Sequence, residues 1–256
     1  MRGSIKRLVD ALITAKTLVF DLDGTLTPID VSRDQSRVPR DALEALNRLR
    51  EFYKLGIASA KSCRFLEERI PFAHFFICYN GLLTLYNDMV LMSREALFSS
   101  KRERLKVVLK EAYNLAKKYE LYVEIKELEG VVVGFCLDWR GKLEEPPKEL
   151  QNLVDFARSM NLRVVDYSGR PFIDVFLADV DKAWALTKLI ELKLVERPLI
   201  YFGDSENDVP AFNIADLSIQ VLHGENKWLD LGADYVIEQK DLTQLLRLLL
   251  ERKSQI

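Results

Sequence analysis

The sequence predicts an α/β protein, a parallel-sheet core interrupted by an inserted α+β segment. Three observations carry this. Short apolar runs near residues 17–22, 56–60 and 75–78 alternate with helix-patterned stretches, the β-α-β-α-β order of a parallel sheet. The same alternation resumes after Asp181. Between the two, residues 99–177 read α-β-β-α-β-β, a layer of helices on an antiparallel sheet. One domain broken by an insertion fits this order better than two domains in series, with the core at 1–81 and 179–256 and the insertion at 82–178.

Each element has a local reason. Residues 17–22 form a buried-strand run that ends at Gly24 and Pro28. Leu43, Leu46, Leu49, Phe52 and Tyr53 recur at helical spacing over 40–54, and Gly56 follows as a stop signal. The run 56–60 leads into a helix to about Ile70, then into the apolar run 75–78. Residues 82–86 and 89–92 flank Asn87-Asp88, a hairpin turn pair. A long helix starts at Ser100, where Ser100-x-x-Glu103 reads as a capping box. Strand-like runs at 121–126 and 131–138 are separated by Glu129-Gly130, and Pro146-Pro147 opens a helix. Strands near 162–166 and 172–177 complete the insertion. A helix from about 181, a strand at 198–202, a helix near 206–214, strands near 217–221 and 234–237 and an amphipathic helix at 241–252 close the chain.

Composition excludes more than it names. The 256 residues carry 37 Lys+Arg against 39 Asp+Glu, a net charge of −2, with the signs interleaved rather than in blocks. That balance argues against a nucleic-acid reader. No apolar run approaches the roughly 20 residues of a membrane span, and Asp10 and Lys16 break any signal-peptide core. Cys63, Cys78 and Cys136, an odd number without metal-ligand spacing, read as reduced structural thiols, and the expected location is cytoplasmic. His74 and His223, the only histidines, lack partners at ligand spacing and read as structural.

The chemical signal lies in acids at strand ends. Asp21-Leu22-Asp23-Gly24-Thr25 stands where an apolar strand stops, the place where α/β sheets bind ligands. One carboxylate there can attack and the other can manage a leaving group's proton. Taken alone, Asp-x-Asp-Gly is also a strand end with a turn-forming pair. A second acidic stretch, Gly203-Asp204-Ser205-Glu206-Asn207-Asp208, follows another apolar strand, with a helix cap as its plainer reading. So many carboxylates at strand ends call for a cation, and hard oxygen donors beside a phosphate suit Mg²⁺ rather than zinc. Ser59 ends the second buried strand, as a phosphoryl-binding hydroxyl or a helix cap. Lys182 begins the helix after the insertion, as a charge neutraliser or a solvated surface residue. The order acid pair, hydroxyl, lysine, acid pair, each at a matching structural point, makes chance a poor explanation.

This pattern resembles the haloacid dehalogenase-like phosphohydrolases over nearly the whole chain. Asp21-x-Asp23-x-Thr25 is similar to their first motif, Ser59 to the second, Lys182 to the third and Gly203-Asp204-Ser205-x-Asn207-Asp208 to the fourth. The resemblance implies a Rossmann-like core with the insertion as a cap domain closing over the site. It implies that Asp21 is a nucleophile forming an aspartyl-phosphate and that Asp23 is the general acid and base. It also implies Mg²⁺ held by Asp21, the Asp23 carbonyl and Asp204, with Asp208 supporting the metal shell or Lys182. Ser59, Lys182 and Asn207 would bind phosphate.

Within that superfamily the cap resembles the sugar-phosphatase branch. The nearest likeness is to trehalose-6-phosphate phosphatases, through residues 23–29, 77–81, 169–175 and 180–182. The fourth motif is instead similar to phosphoglycolate, mannosyl-3-phosphoglycerate and general sugar phosphatases. Asp174 stands where the trehalose family has glutamate, and Asp138-Trp139-Arg140 stands roughly where its cap histidine is expected. Lys126, Asp138, Arg140, Arg170 and Asp174 are the polar cap residues able to read a sugar, while Trp139 and Trp184 read as packing. The expected partner is a small phosphate ester, with neither nucleic acid nor membrane, on a monomer or homodimer. A phosphomannomutase-like mutase is the reading from a different class, since those enzymes share the Asp-x-Asp-Gly-Thr-Leu start and a similar cap.

Overall fold

The computed structural model describes residues 2–29, 31, 35–97 and 99–255. The chain forms two compact units, Met1–Val90 with Asp181–Ile256, and Leu91–Val180. The first part of the larger unit runs α1 (Arg2–Leu12), β1 (Thr17–Phe20), α2 (Arg40–Leu49), β2 (Lys54–Ala58), α3 (Cys63–Arg69), β3 (Phe75–Cys78), β4 (Leu83–Tyr86) and β5 (Met89–Met92). The smaller unit contributes α4 (Ser99–Tyr119), β6 (Tyr122–Leu128), β7 (Val131–Asp138), α5 (Leu150–Ser159), β8 (Arg163–Asp166) and β9 (Phe172–Phe176). The chain then returns through α6 (Lys182–Glu191), β10 (Leu199–Gly203), α7 (Val209–Phe212), β11 (Leu217–Leu222), β12 (Tyr235–Glu238) and α8 (Gln239–Lys253).

Among the described residues the larger unit is built on an eight-stranded sheet of order β12-β11-β10-β1-β2-β3-β4-β5. Every pairing from β12 through β3 is parallel. From β1 the chain fills the sheet outward through β2 and β3, then returns to the other side of β1 as β10. The order therefore reverses between β1 and β10, which is where open α/β sheets leave a crevice at their carboxyl ends. Both strands are buried along their whole length, in keeping with their largely apolar sequences. Phe20 and Phe202 lie side by side in the register and stack at 4.4 Å.

Two findings here differ from the sequence reading. The hairpin at 82–92 extends the larger sheet, because β4 pairs antiparallel with β3 from Phe75↔Tyr86 to Cys78↔Leu83. The two compact units divide within β5, between Val90 and Leu91. The second difference is α1, which packs on α8 and buries Leu8, Val9 and Leu12.

The cysteine expectation is also corrected. Cys63 and Cys78 form a disulfide, and Cys136 is the free, buried thiol. The bridge ties the start of α3 to the end of β3, across a sequence separation of 15. In the chain-entropy account a loop of that length is worth about 3 kcal/mol. The double variant Cys63→Ser/Cys78→Ser is expected to unfold at lower urea by that amount, and a reductant should shift the wild type equally.

The smaller unit is a four-stranded sheet of order β6-β7-β9-β8, antiparallel throughout. Helix α4 packs on β6 and β7, α5 packs on β8, and the two helices touch each other. Glu149, at the start of α5, accepts from Lys118 and from the Tyr119 hydroxyl, both on α4. The Lys118 and Tyr119 hydrogen bonds pull the Glu149 carboxyl from 4.5 down to about 2. A depressed carboxyl contributes stability that is present above its unfolded value and lost as pH falls through the folded one. The small stabilising effect of Glu149, measured against Glu149→Gln, is therefore expected to vanish between about pH 4.5 and 2. Among the described residues no helix is long and apolar enough to cross a membrane.

Candidate active site

The first acidic motif begins where the β1–β10 ladder ends. The Asp21 amide still donates to the Phe202 carbonyl at 2.8 Å, so Asp21 is the first residue past the strand and its carboxyl is buried at the switch point. The chain then turns tightly, with the amides of Leu26 and Thr27 both donating to the Leu22 carbonyl at 2.9 Å. Gln239, first residue of α8, braces this turn from outside by donating to the carbonyls of Gly24 and Thr27, at 2.8 and 2.9 Å.

Gly24 is required on two counts. Its φ is +88°, and a Cβ there would stand 2.3 Å from Asp204 Oδ2. Gly24→Ala is expected to push Asp204 aside and lower kcat by about 100-fold or more, the scale of a misplacement near 1 Å. A steady-state assay with a synthetic aryl phosphate, a phosphate ester as the sequence resemblance implies for the substrate, reads this directly.

The fourth motif is held by its own aspartate. Asp208 Oδ2 accepts the amides of Asp204 and Ser205 at 3.0 and 3.2 Å, while Oδ1 accepts the Tyr201 hydroxyl at 2.7 Å. Ser205 and Asp208 form a capping box on the turn Glu206–Asp208. A Cβ on Gly203 would lie 2.4 Å from the Asp208 carboxyl carbon, so the strand end must be glycine for the carboxylate to fold back.

Lys182 joins the motifs. It is the first residue of α6, whose N-cap Asp181 accepts the Trp184 amide at 2.8 Å, and it is fully buried. Its ammonium donates to Asp21 Oδ1 and Asp208 Oδ1, each at 2.6 Å, and to Asn207 Oδ1 at 3.3 Å. Burial alone pushes the ammonium down, but the charges of Asp208 and Asp21 outweigh it and hold Lys182 above its ordinary value. Asp21 is the strained member. Burial lifts its carboxyl well above the usual range, the Lys182 charge opposes that, and Asp208 and Asp204 add to the rise. One cation cannot satisfy three buried carboxylates.

Asp21, Asp204 and Asp208 each place a carboxylate oxygen within 4.8 Å of the others. With Tyr201, Lys182 and two amides on Asp208, its four acceptor positions are taken. Asp21 and Asp204 are thus the members of this oxygen donor set able to face a cation, and the set fits Mg²⁺.

Asp23 is half-buried beside them, with Oδ1 accepting from Ser36 at 3.0 Å and from Thr27 at 3.5 Å. Ser59 is buried just past β2, at the same end of the sheet as Asp21, and its hydroxyl accepts the Lys61 amide at 3.2 Å. The helix cap of α3 is Ser62. Asn207 is buried and also accepts from the Ser205 hydroxyl at 2.9 Å.

In the smaller unit Lys126 and Asp174 form a buried ion pair at 3.1 Å, and the Tyr167 hydroxyl donates to Asp174 Oδ2 at 2.9 Å. Arg140 lies beyond the end of β7, exposed, with its guanidinium over the Phe172 ring and 3.9 Å from Asp138. Trp139 is buried, in keeping with packing.

Sequence reasoning missed several groups of the site: Tyr201, Ser36, Gln239, Asn226 and His223. His74 behaves structurally, accepting the Leu55 amide at Nδ1. His223 does not stop there: its Nε2 lies 3.0 Å from Asp204 Oδ2. The available signal was its place at the carboxyl end of β11, the strand next to β10.

The chain is similar to known proteins over most of its length. It is 25% identical over 245 residues to a trehalose-6-phosphate phosphatase-related protein of Thermoplasma acidophilum, covering 93% of this chain and 100% of that one. It is 28% identical over 234 residues to a phosphoglycolate phosphatase of Archaeoglobus fulgidus, covering 88% and 92%. Its fold matches the C-terminal domain of the C. albicans trehalose-6-phosphate phosphatase with a TM-score of 0.72, at 15% identity and 96% of each chain. The haloacid dehalogenase-like hydrolase family matches residues 18–134 and 86–242, and together with the paired acids at the switch point this establishes that the chain belongs to that family, as a phosphatase.

Proposed function

We propose that this phosphatase hydrolyses a small phosphorylated sugar of the trehalose-6-phosphate kind, with Asp21 as nucleophile. The observation that carries the proposal is the Lys182 ammonium, which touches Asp21 and Asp208 at 2.6 Å each in a fully buried setting. That contact holds one Asp21 oxygen still and favours its ionised form against the burial that opposes it. Asp21 attacks phosphorus, so the Asp21–phosphate bond forms as the bond to the sugar oxygen breaks. Asp23 gives its proton to that oxygen, then takes one from the water that displaces Asp21 and frees phosphate. Ser36 and Thr27 hold the Asp23 carboxyl for both transfers. Mg²⁺, held by Asp21, Asp204 and the Asp23 carbonyl, would supply the positive charge that lets an anionic carboxylate meet an anionic phosphate. Ser59 and Asn207 are assigned to the phosphoryl oxygens, and Lys126, Arg140 and Asp174 to recognition of the sugar.

A phosphate-release screen tests this reading. Trehalose 6-phosphate and other sugar phosphates are expected to be turned over, and a chelator is expected to abolish turnover. The archaeal phosphoglycolate phosphatase relative supports a second reading, in which phosphoglycolate or mannosyl-3-phosphoglycerate is preferred. Transfer of phosphate between sugars without net release would overturn both and favour a mutase.

A further inference from the structure

His223 is built into the site by more than proximity. It follows β11 directly, and four hydrogen bonds fix the turn that carries it. The His223 amide donates to Asn226 Oδ1 at 2.7 Å. Asn226 Nδ2 donates to the Val221 carbonyl at 2.9 Å and to the Asp204 carbonyl at 2.8 Å. The Glu225 amide donates to His223 Nδ1 at 3.2 Å. That last bond decides the chemistry of the ring. An amide can donate only to a nitrogen with a lone pair, so Nδ1 is the acceptor and the ring hydrogen lies on Nε2. Nε2 therefore donates to Asp204 Oδ2 across the 3.0 Å separation, inside a pocket where both side chains are buried.

The two oxygens of Asp204 are thus unequal. Oδ2 is held by His223 on one side and walled by Gly24 on the other, where an added Cβ would come within 2.3 Å. Oδ1 accepts a long hydrogen bond from Thr25 at 3.4 Å. With one acceptor position of Oδ2 taken by the imidazole and its other side closed by Gly24, the carboxylate is biased to present Oδ1 to a cation. Mg²⁺ is satisfied by single oxygens in near-octahedral array, whereas Ca²⁺ uses larger, looser shells that readily take both oxygens of a carboxylate.

We propose that His223 is a positioning residue for the divalent cation, holding Asp204 so that it ligates through Oδ1 alone and the site prefers a Mg²⁺-sized ion over Ca²⁺. This rests on the reading of Asp204 as a metal ligand. Outer-shell partners of this kind typically change metal affinity by 10- to 100-fold, about 1.4 to 2.7 kcal/mol.

The test is Mn²⁺ binding to the intact protein, followed by the electron paramagnetic resonance of the free ion, with Mg²⁺ and Ca²⁺ as competitors. Wild type is expected to bind Mn²⁺ and to release it to Mg²⁺ far more readily than to Ca²⁺. His223→Phe, which keeps ring bulk without a donor, and His223→Ala are each expected to weaken Mn²⁺ by 10- to 100-fold and to narrow the Mg²⁺/Ca²⁺ preference. His223→Gln, whose amide can donate in place of Nε2–H, should recover most of both. Thermal melts identify any variant that does not fold, and the Phe and Gln variants decide the matter if Ala fails. Wild-type affinity and preference in folded His223→Phe would overturn the proposal while leaving the phosphatase reading intact. Equal losses in the Phe and Gln variants would overturn it as well. A wild type that binds no divalent cation would take down the metal assignment itself.

Discussion

Lys182→Met is expected to destabilise the protein by about 3–5 kcal/mol, the cost of removing one partner from a buried charge cluster. Methionine matches the stem in length, so the loss is electrostatic rather than a cavity. Asp21 and Asp208 would then face each other with no cation from the chain, and the Asp21 carboxyl, already raised by burial, would rise further. A carboxyl whose folded value lies above its ordinary 3.8 costs stability as pH rises from there through the folded value, because the folded state holds the proton more tightly. The deficit of Lys182→Met relative to wild type should therefore shrink as pH is lowered toward 4. Urea midpoints of the two proteins across that range measure it. A deficit independent of pH would show that Lys182 acts through packing alone.

Asp21→Asn is the converse case. Loss of the proposed nucleophile is expected to reduce kcat by at least about 10⁴-fold. Stability should hold or increase, since burial is the largest influence opposing the Asp21 charge and asparagine removes that charge. Lys182 keeps Asp208 as its partner at 2.6 Å. Inactivity with an unchanged or higher urea midpoint separates a chemical role from a structural one. Full activity in Asp21→Asn would mean that another group attacks phosphorus.

The groups most legible in the sequence were those standing where an apolar pattern breaks. Asp21 and Asp204 each follow a largely apolar strand, and Lys182 starts a helix just past the insertion. Their separation of up to 183 residues closes because β1 and β10 are neighbours in a doubly wound sheet. His223, Asn226, Ser36 and Gln239 were opaque for the complementary reason. Each reaches the site only because a particular strand or helix end lands beside it, and residue spacing does not encode which one does. The hairpin 83–92 shows the same limit. Its turn residues specify that β4 and β5 pair, but not that β4 also adds to β3. Cys63 and Cys78 lie 15 residues apart at the ends of different elements, so their pairing depended on how α3 crosses back onto β3.

Asp21 is proposed to carry the phosphoryl group during turnover. Turnover of an aryl phosphate with Mg²⁺ can be quenched and treated with borohydride, which reduces an aspartyl-phosphate to homoserine, and the digested protein weighed by mass spectrometry. Homoserine at position 21, absent without substrate or with chelator, is the predicted result. Phosphate release with Asp21 unmodified and the label on another residue would contradict it.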